Sequence, residues 1–361
     1  MESNRTQSPI LNEALQQPNG ARFYRCALQV NPFAYHGRHS KPTAFQNEAD
    51  YNEALIAACL ANRIEAIAVT DHYRVADSLS LIRLARERGI FVFSGFEAAS
   101  KDGVHFLCLY DIQKDDSLER FIGEFGIHNN SALSPISNKD CLELLDCVRH
   151  QGGIAIAAHV AADKGLLATL AGQPRINAWK SANLLACALP GPICDAQQNF
   201  RAILKNNDPQ HKRERPVAVI NASDVNSPED LAEARSSCFI KMSALSTEGL
   251  RQAFLDPDSR IRLNSDPAPE PHAEFIAMAW EGGFLDGTKL HFNGNLNVLI
   301  GGRGAGKSTI IESLRYVLAI DPLGEEANKA HQSVFEERLE KWYQNILAGA
   351  LASPREARLH H

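Results

Sequence analysis

Between residues 21 and 264, short apolar runs alternate with stretches whose apolar residues recur every three or four positions. The runs IEAIAV at 64–69, IFVF at 90–93, IAIAA at 154–158 and VAVI at 217–220 lack the apolar–polar alternation of a half-solvated strand. Strands of that kind are covered on both faces, as in a parallel sheet flanked by helices. Helical spacing falls near 50–62, 77–88, 195–204 and 246–255, and most clearly where Cys141, Leu144, Leu145 and Val148 stand at i, i+3, i+4 and i+7. Repeated strand and helix units predict an α/β barrel or an open α/β sheet.

The pattern changes on both sides of this region. Residues 1–20 are polar and are expected to be a disordered leader, and SDPAPEPH at 265–272 reads as a linker. Beyond it, Leu296, Val298, Leu299 and Ile300 predict a short strand, and Ile310, Ile311, Leu314, Val317 and Leu318 predict a helix. Between them lies GGRGAGKST, residues Gly301, Gly302, Arg303, Gly304, Ala305, Gly306, Lys307, Ser308 and Thr309. Strand, glycine loop and helix N-terminus together make an anion site, because backbone N–H groups and the helix dipole face the phosphates. In such a loop Lys307 reaches the β- and γ-phosphates and Ser308 ligates Mg²⁺, so ATP with Mg²⁺ is the expected cofactor.

Hydrolysis also needs an acid at the end of a second apolar strand and a residue that positions water. No apolar run ending in Asp-Glu follows Thr309, and 321–361 reads as a helical tail. Residues 273–320 are therefore read as the first part of a P-loop NTPase lobe that binds nucleotide better than it cleaves it. Roughly 90 residues are few for a sheet that must be covered on both faces, so a protein partner, self-association or a further segment is expected to complete it.

Composition narrows the classes. At 44% hydrophobic and 22% charged the chain is ordinary globular material, and a formal charge of −6 gives no global attraction to DNA or anionic lipid. The basic stretches RLARER (83–88) and HKRER (211–215) are read as solvated helix or loop faces. Eight cysteines without a CxxC read as reduced residues, most of them in the core. The N-terminus lacks the apolar region of a signal peptide, and no stretch approaches the roughly 18 apolar residues of a membrane span, so a cytoplasmic protein is expected.

Each of the four buried runs leads into a residue that can ligate a metal. Val69 leads to Asp71 and His72, Phe93 to Glu97, Ala158 to His159, and Ile220 to Asp224; His105 follows shortly after Glu97. The carboxyl ends of parallel strands converge on one rim, so these side chains are expected to meet although they span 150 residues. Imidazoles with carboxylates suit zinc, manganese or iron, and such clusters activate water against phosphoesters.

These pieces, AVTDH at 68–72, GFEAASKDGVHFL at 95–107, GGIAIAAH at 152–159 and ASDVN at 222–226, resemble the polymerase and histidinol phosphatase (PHP) domain. With the linker, GGFLDG at 282–287 and the P-loop, the whole resembles the TrlF group, a PHP domain joined to an ATPase like those of chromosome-maintenance and recombination proteins. The resemblance implies a distorted (β/α)7 barrel with up to three metals, followed by an incomplete P-loop NTPase lobe. It implies that Glu97 bridges two metals, that His105 and His159 complete one, that Asp224 belongs to its neighbour, and that His72 belongs to a third with His36 or His39. His72, Glu97 and Asp224 are the catalytic candidates. The family opens with Asp-Leu-His-x-His and closes with Asp-x-His, whereas Gln29, Asn31 and Asn226 stand at three of those imidazole positions here. Amide oxygens are poorer ligands for zinc or manganese. One sound metal site with a weakened neighbour is expected.

Two functions follow. One is a metal-dependent phosphoesterase acting on nucleic acid or a nucleotide and gated by the ATPase module. The alternative is a degenerate barrel that senses nucleotide or docks a partner.

Overall fold

Strands whose alternate residues are both buried need two apolar layers, and the larger of the chain's two units supplies them. The computed structural model describes residues 9–111, 118–128, 132–268 and 274–318, divided between a unit of residues 21–269 and a unit of 1–20 with 270–361. The larger unit holds one sheet of nine strands: Arg22–Val30 (β1), Ala66–Val69 (β2), Phe91–Ala99 (β3), His105–Tyr110 (β4), Ile154–Ala157 (β5), Ala186–Ala188 (β6), Ala218–Ile220 (β7), Cys238–Met242 (β8) and Ile261–Arg262 (β9). They lie in the order β7-β6-β5-β4-β3-β2-β1-β8-β9. The end strands β7 and β9 approach one another, so the sheet is a nearly closed, distorted α/β barrel. Seven strands were expected; β8 and β9, antiparallel to their neighbours, extend the sheet across the remaining gap.

Alternation sorts each strand between the two layers. Phe93, Leu107, Leu109, Ile154, Ile156 and Ile220 share one cluster with many alanines, among them Ala66, Ala68, Ala186 and Ala218. Small side chains let the barrel interior close tightly. On the other face, Phe96, Phe106, Cys108 and Tyr110 pack with residues of the helices Leu118–Glu124, Cys141–His150 and Gln198–Leu204. Ala27, Ile67, Val69 and Val92 pack with the helices Glu48–Ala61 and Leu79–Glu87. The helix over residues 141–150 begins with a reciprocal capping box between Asp140 and Glu143, which satisfies two orphan N–H groups.

The basic stretch at 211–215 is solvated at Lys212, Glu214 and Arg215 but structural at His211 and Arg213. Arg213 bonds the Trp179 carbonyl, donates to the Ser181 and Leu184 carbonyls at 2.8 and 3.0 Å, and His211 is buried. A guanidinium can satisfy several loop carbonyls at once, which the sequence pattern does not reveal. Arg88 of the other basic stretch pairs at the surface with Glu53. All eight cysteines are free thiols.

In the smaller unit the leader is not featureless. Pro9–Leu15 is a helix beside a hairpin of Ala277–Ala279 (β10) and Lys289–His291 (β11). Glu13 pairs with Lys289, and the Gln17 and Asn19 carbonyls bond His291 and Asn293. The helix Lys307–Val317 forms as expected. The strand expected at 296–300 does not: those residues have no ladder, with Leu296 86% and Ile300 91% exposed. A strand needs neighbours to pair with, and among the described residues this unit offers only the hairpin. The tail at 321–361 lies outside the described residues. No helix among the described residues is long and apolar enough to cross a membrane.

Candidate metal centre

The centre lies on the rim where β2, β3 and β5 end. His72 pairs alongside Glu97 as a continuation of β2 and β3, held by bonds from Glu97 N–H to Asp71 C=O (3.0 Å) and from Tyr73 N–H to Glu97 C=O (3.1 Å). Glu97 shares a face with Phe93 and Gly95 by alternation. At Gly95 a Cβ would lie 2.5 Å from the Cys108 carbonyl oxygen, so the approach of β4 requires glycine there. β4 runs antiparallel to β3. Its first residue, His105, therefore sits at the rim where its neighbours finish. The rule of carboxyl-terminal strand ends does not reach this residue; its nearness to Glu97 in sequence and the resemblance carried by residues 95–107 signalled it. His159 follows β5 at a φ of 31°, an uncommon left-handed conformation for a residue with a side chain, of the kind that collects at functional sites.

His72, Glu97 and His105 each offer a ligand atom within 4.8 Å of the others, and all three are buried. His105 Nδ1 lies 2.7 Å from Glu97 Oε1, His159 Nε2 lies 3.5 Å from the same oxygen, and His72 Nδ1 lies 3.9 Å from Oε2. The imidazoles of His39, His72, His105 and His159 form a row with successive ring centroids 5.3 Å apart. His72 thus stands in one cluster with Glu97 and His105. Of the two further histidines considered, His36 has both ring nitrogens against carbonyls, Phe33 at 3.1 Å and Asn226 at 2.5 Å. His39 stacks on Tyr35 at 4.2 Å, and its buried Nε2 has no partner.

Electrostatics follow from burial and proximity. Burial pushes the Glu97 carboxyl up, yet hydrogen bonds with His105 and His159 and the nearby His72 outweigh it and hold the group well below the usual carboxylate range. Burial lowers the His72 pKa to about 4, with Glu97 opposing. For His159 burial acts downward, but the bond to Glu97 and its charge leave the pKa raised. Asp224 is raised by burial and by repulsion from Glu97.

Asp224 reaches the centre through β1. Its successor Val225 donates to the Gln29 carbonyl (2.9 Å) and accepts from Asn31 N–H (3.0 Å). A bulge in β1 between Ala27 and Val30 accompanies an inward turn of Gln29. Gln29 Nε2 donates to Asp224 Oδ1 (2.9 Å) and lies 3.3 Å from Glu97 Oε2, while Asn31 Nδ2 donates to Asp224 Oδ1 (3.1 Å) and Asn226 Oδ1 (3.0 Å). Ionised carboxylates only accept, so both amides turn their NH₂ groups toward the acids.

This geometry tests the fit of a metal. Around Glu97 there is a low-pKa carboxylate with His72 and His105 in one tight cluster and His159 Nε2 beside it, and the Nδ1 atom of His72, which faces Glu97, is buried without a hydrogen-bond partner. That donor set fits one divalent transition ion. On the Asp224 side, two amide NH₂ groups already donate to one carboxylate oxygen, Oδ1, where a second ion would meet their hydrogens.

In the other unit, Gly304 and Gly306 take φ values of 83° and 86° in the glycine loop, conformations that side chains resist. Lys307 Nζ donates to the carbonyls of Gly301 and Gly302 at 2.7 Å each, folding the cation over the loop. Arg303, Ala305, Ser308 and Thr309 belong to this same loop and helix start. Trp280 braces the helix through Nε1 to Ser313 Oγ at 3.0 Å.

Comparison with known proteins adds the following. No curated protein matches the sequence. Among solved structures, the chain is similar to a lesion-specific endonuclease from Pyrococcus furiosus (13% identity, 66% of this chain and 58% of that one, TM-score 0.48). It is also similar to endonuclease Q in complex with a 27-mer duplex carrying an abasic lesion (12% identity, 64% and 56%, TM-score 0.47). A third likeness is to a protein described as a metal-dependent phosphoesterase from Bifidobacterium adolescentis (12% identity, 55% and 86%, TM-score 0.36). The chain spans a little over half the length of the two endonuclease chains, 58% and 56%. A family model described as an AAA domain matches residues 282–341, the segment that carries the glycine loop.

Proposed function

We propose that the barrel is a metal-dependent phosphoesterase built on one divalent transition ion, and that the P-loop unit binds ATP with Mg²⁺. The observation that carries the first part is the convergence of His72, His105 and His159 on a single buried carboxylate, Glu97. When bound, such an ion supplies Lewis-acid activation of a phosphoester and of water. The chain's own residues prepare for it. Glu97 is already ionised. His72, neutral at ordinary pH, offers its ring nitrogen without first losing a proton. His159, the most exposed of the three imidazoles at 28%, completes the donor set on the open side. Arg38, Lys41, Arg74 and Lys164 lie close enough to act on the charges of His39, Asp224 or His72, which favours an anionic substrate although the whole chain is acidic.

Protein stripped with chelator and reloaded with manganese or zinc is expected to hydrolyse bis-p-nitrophenyl phosphate, and the chelated form is not. No turnover with any of manganese, zinc or iron would remove the enzymatic reading. A second reading, a barrel kept as a sensing or docking module, is favoured by one observation, the amides that occupy Asp224. Nucleic acid as the substrate, and a partner or second copy that completes the ATPase lobe, belong to the same proposal.

The nucleotide part rests on the cradle around Lys307. Lys307→Ala removes the only ammonium of the loop, and ATP affinity is expected to fall by at least about tenfold by equilibrium titration. Unchanged affinity would count against this assignment.

A further inference from the structure

His159 faces two environments. Toward Glu97 it joins the charged centre, and it also lines a half-open cavity of about 180 Å³ whose walls include Ala162, Leu189, Pro190 and Pro192. These walls are apolar, and Asp195 is the one carboxylate among the lining residues. The space is smaller than the roughly 300 Å³ at which drug-sized pockets begin. It takes one small ring. Apolar walls with a carboxylate repel a phosphate, whereas the basic residues that act on the centre attract one.

The cavity wall is fixed from the barrel. Asn221, buried at the end of β7, donates through Nδ2 to the Leu189 carbonyl at 3.0 Å and reaches that of Gly191 at 3.5 Å. Leu189 N–H donates to the Ile220 carbonyl at 2.9 Å, and Val160 N–H, next to His159, donates to the Ala188 carbonyl at 3.0 Å. The strand end that leads to Asp224 therefore also holds the pocket wall. A wall tied to two strand ends is preorganised, so little ordering is needed on binding.

We infer that this cavity receives the uncharged ring of the substrate, so that the barrel acts on phosphoesters whose phosphoryl group lies at the Glu97 centre and whose adjoining ring lies against Leu189, Pro190 and Pro192. Asp195 further favours a ring that carries a hydrogen-bond donor. Asn221 is a positioning residue for this pocket. The inference rests on the phosphoesterase reading and specifies its substrate.

The test uses the full chain loaded with manganese and two non-hydrolysable probes, phenylphosphonate and methylphosphonate, titrated by calorimetry. Phenylphosphonate is expected to bind about 10- to 100-fold more tightly, the range that apolar contacts of this size give. Ala162→Phe, at an exposed wall position, and Gly191→Val, whose Cβ would meet only Asp195 Oδ2 at 3.3 Å, are expected to abolish that preference. Methylphosphonate affinity and manganese content stay unchanged in both. Equal binding of the two probes by the parent overturns the pocket and leaves the phosphoesterase reading standing. A preference that survives in both filled variants also overturns it. If the manganese-loaded parent binds neither probe, both readings fall.

Discussion

Glu97→Gln is expected to strip the barrel of its transition metal while leaving the fold in place. Elemental analysis of protein purified without chelator should fall from about one equivalent of barrel metal per chain to less than about a tenth. The apparent affinity should drop by more than the 10- to 100-fold that altering an outer-shell partner costs, roughly a thousandfold or about 4 kcal/mol. Glutamine keeps the volume and can still hydrogen-bond to His105, so loss of the charge is the main change. Glu97 is the sole carboxylate in the tight cluster, and it lies within 4 Å of three imidazoles. Without it those rings would crowd a cation with no anion to neutralise it. Metal content equal to that of the parent would sink the proposed centre, whatever the activity.

The second large effect runs the other way. Gln29→His and Asn31→His replace the donors that now hold Asp224, and Asn226→His replaces the amide that accepts from Asn31, all with ring nitrogens that can ligate. A second equivalent of zinc or manganese is expected to bind, and hydrolysis of bis-p-nitrophenyl phosphate to rise on the order of a hundredfold, because two ions stabilise attacking and leaving oxygens together. Gln29 and Asn31 are fully buried, so the larger ring at position 31 adds strain of about 1–3 kcal/mol. Thermal midpoint is therefore read beside stoichiometry. Asn226 is the easiest site of the three, because its backbone bonds to His36 and Asp230 do not involve its side chain. A variant that stays folded and binds no more metal than the parent would show that the amides are not what limits the centre.

Much of this arrangement was legible in the residues. Four uninterrupted apolar runs announced strands covered on both faces, and the polar residues that follow them marked the rim, because a strand that leaves its layers exposes its next side chains. His72, Glu97 and His159 were found in this way. What escaped the pattern depends on pairing rather than on period. The reversed direction of β4, which brings His105 to the rim, is a tertiary choice, as is the closure supplied by β8 and β9. The unpaired segment at 296–300 shows the opposite limit, since apolar content predicts a strand only where partners exist. Gln29 and Asn31 were visible as departures from the family pattern, but their hydrogen bonds to Asp224 required coordinates. Arg213 was visible only as part of a basic stretch and Asn221 not at all, because a polar side chain that serves loop carbonyls looks in sequence like any surface residue.

The hairpin joining β3 to β4 carries a last implication. Glu97 stands opposite Leu107, two positions from His105, so in this alignment both functional side chains point the same way. Slipping the pair by a single residue would turn one of them outward. Loss or gain of one residue in the connection 100–104 would therefore act as a lesion of the chemistry, even where the chain still found a stable fold.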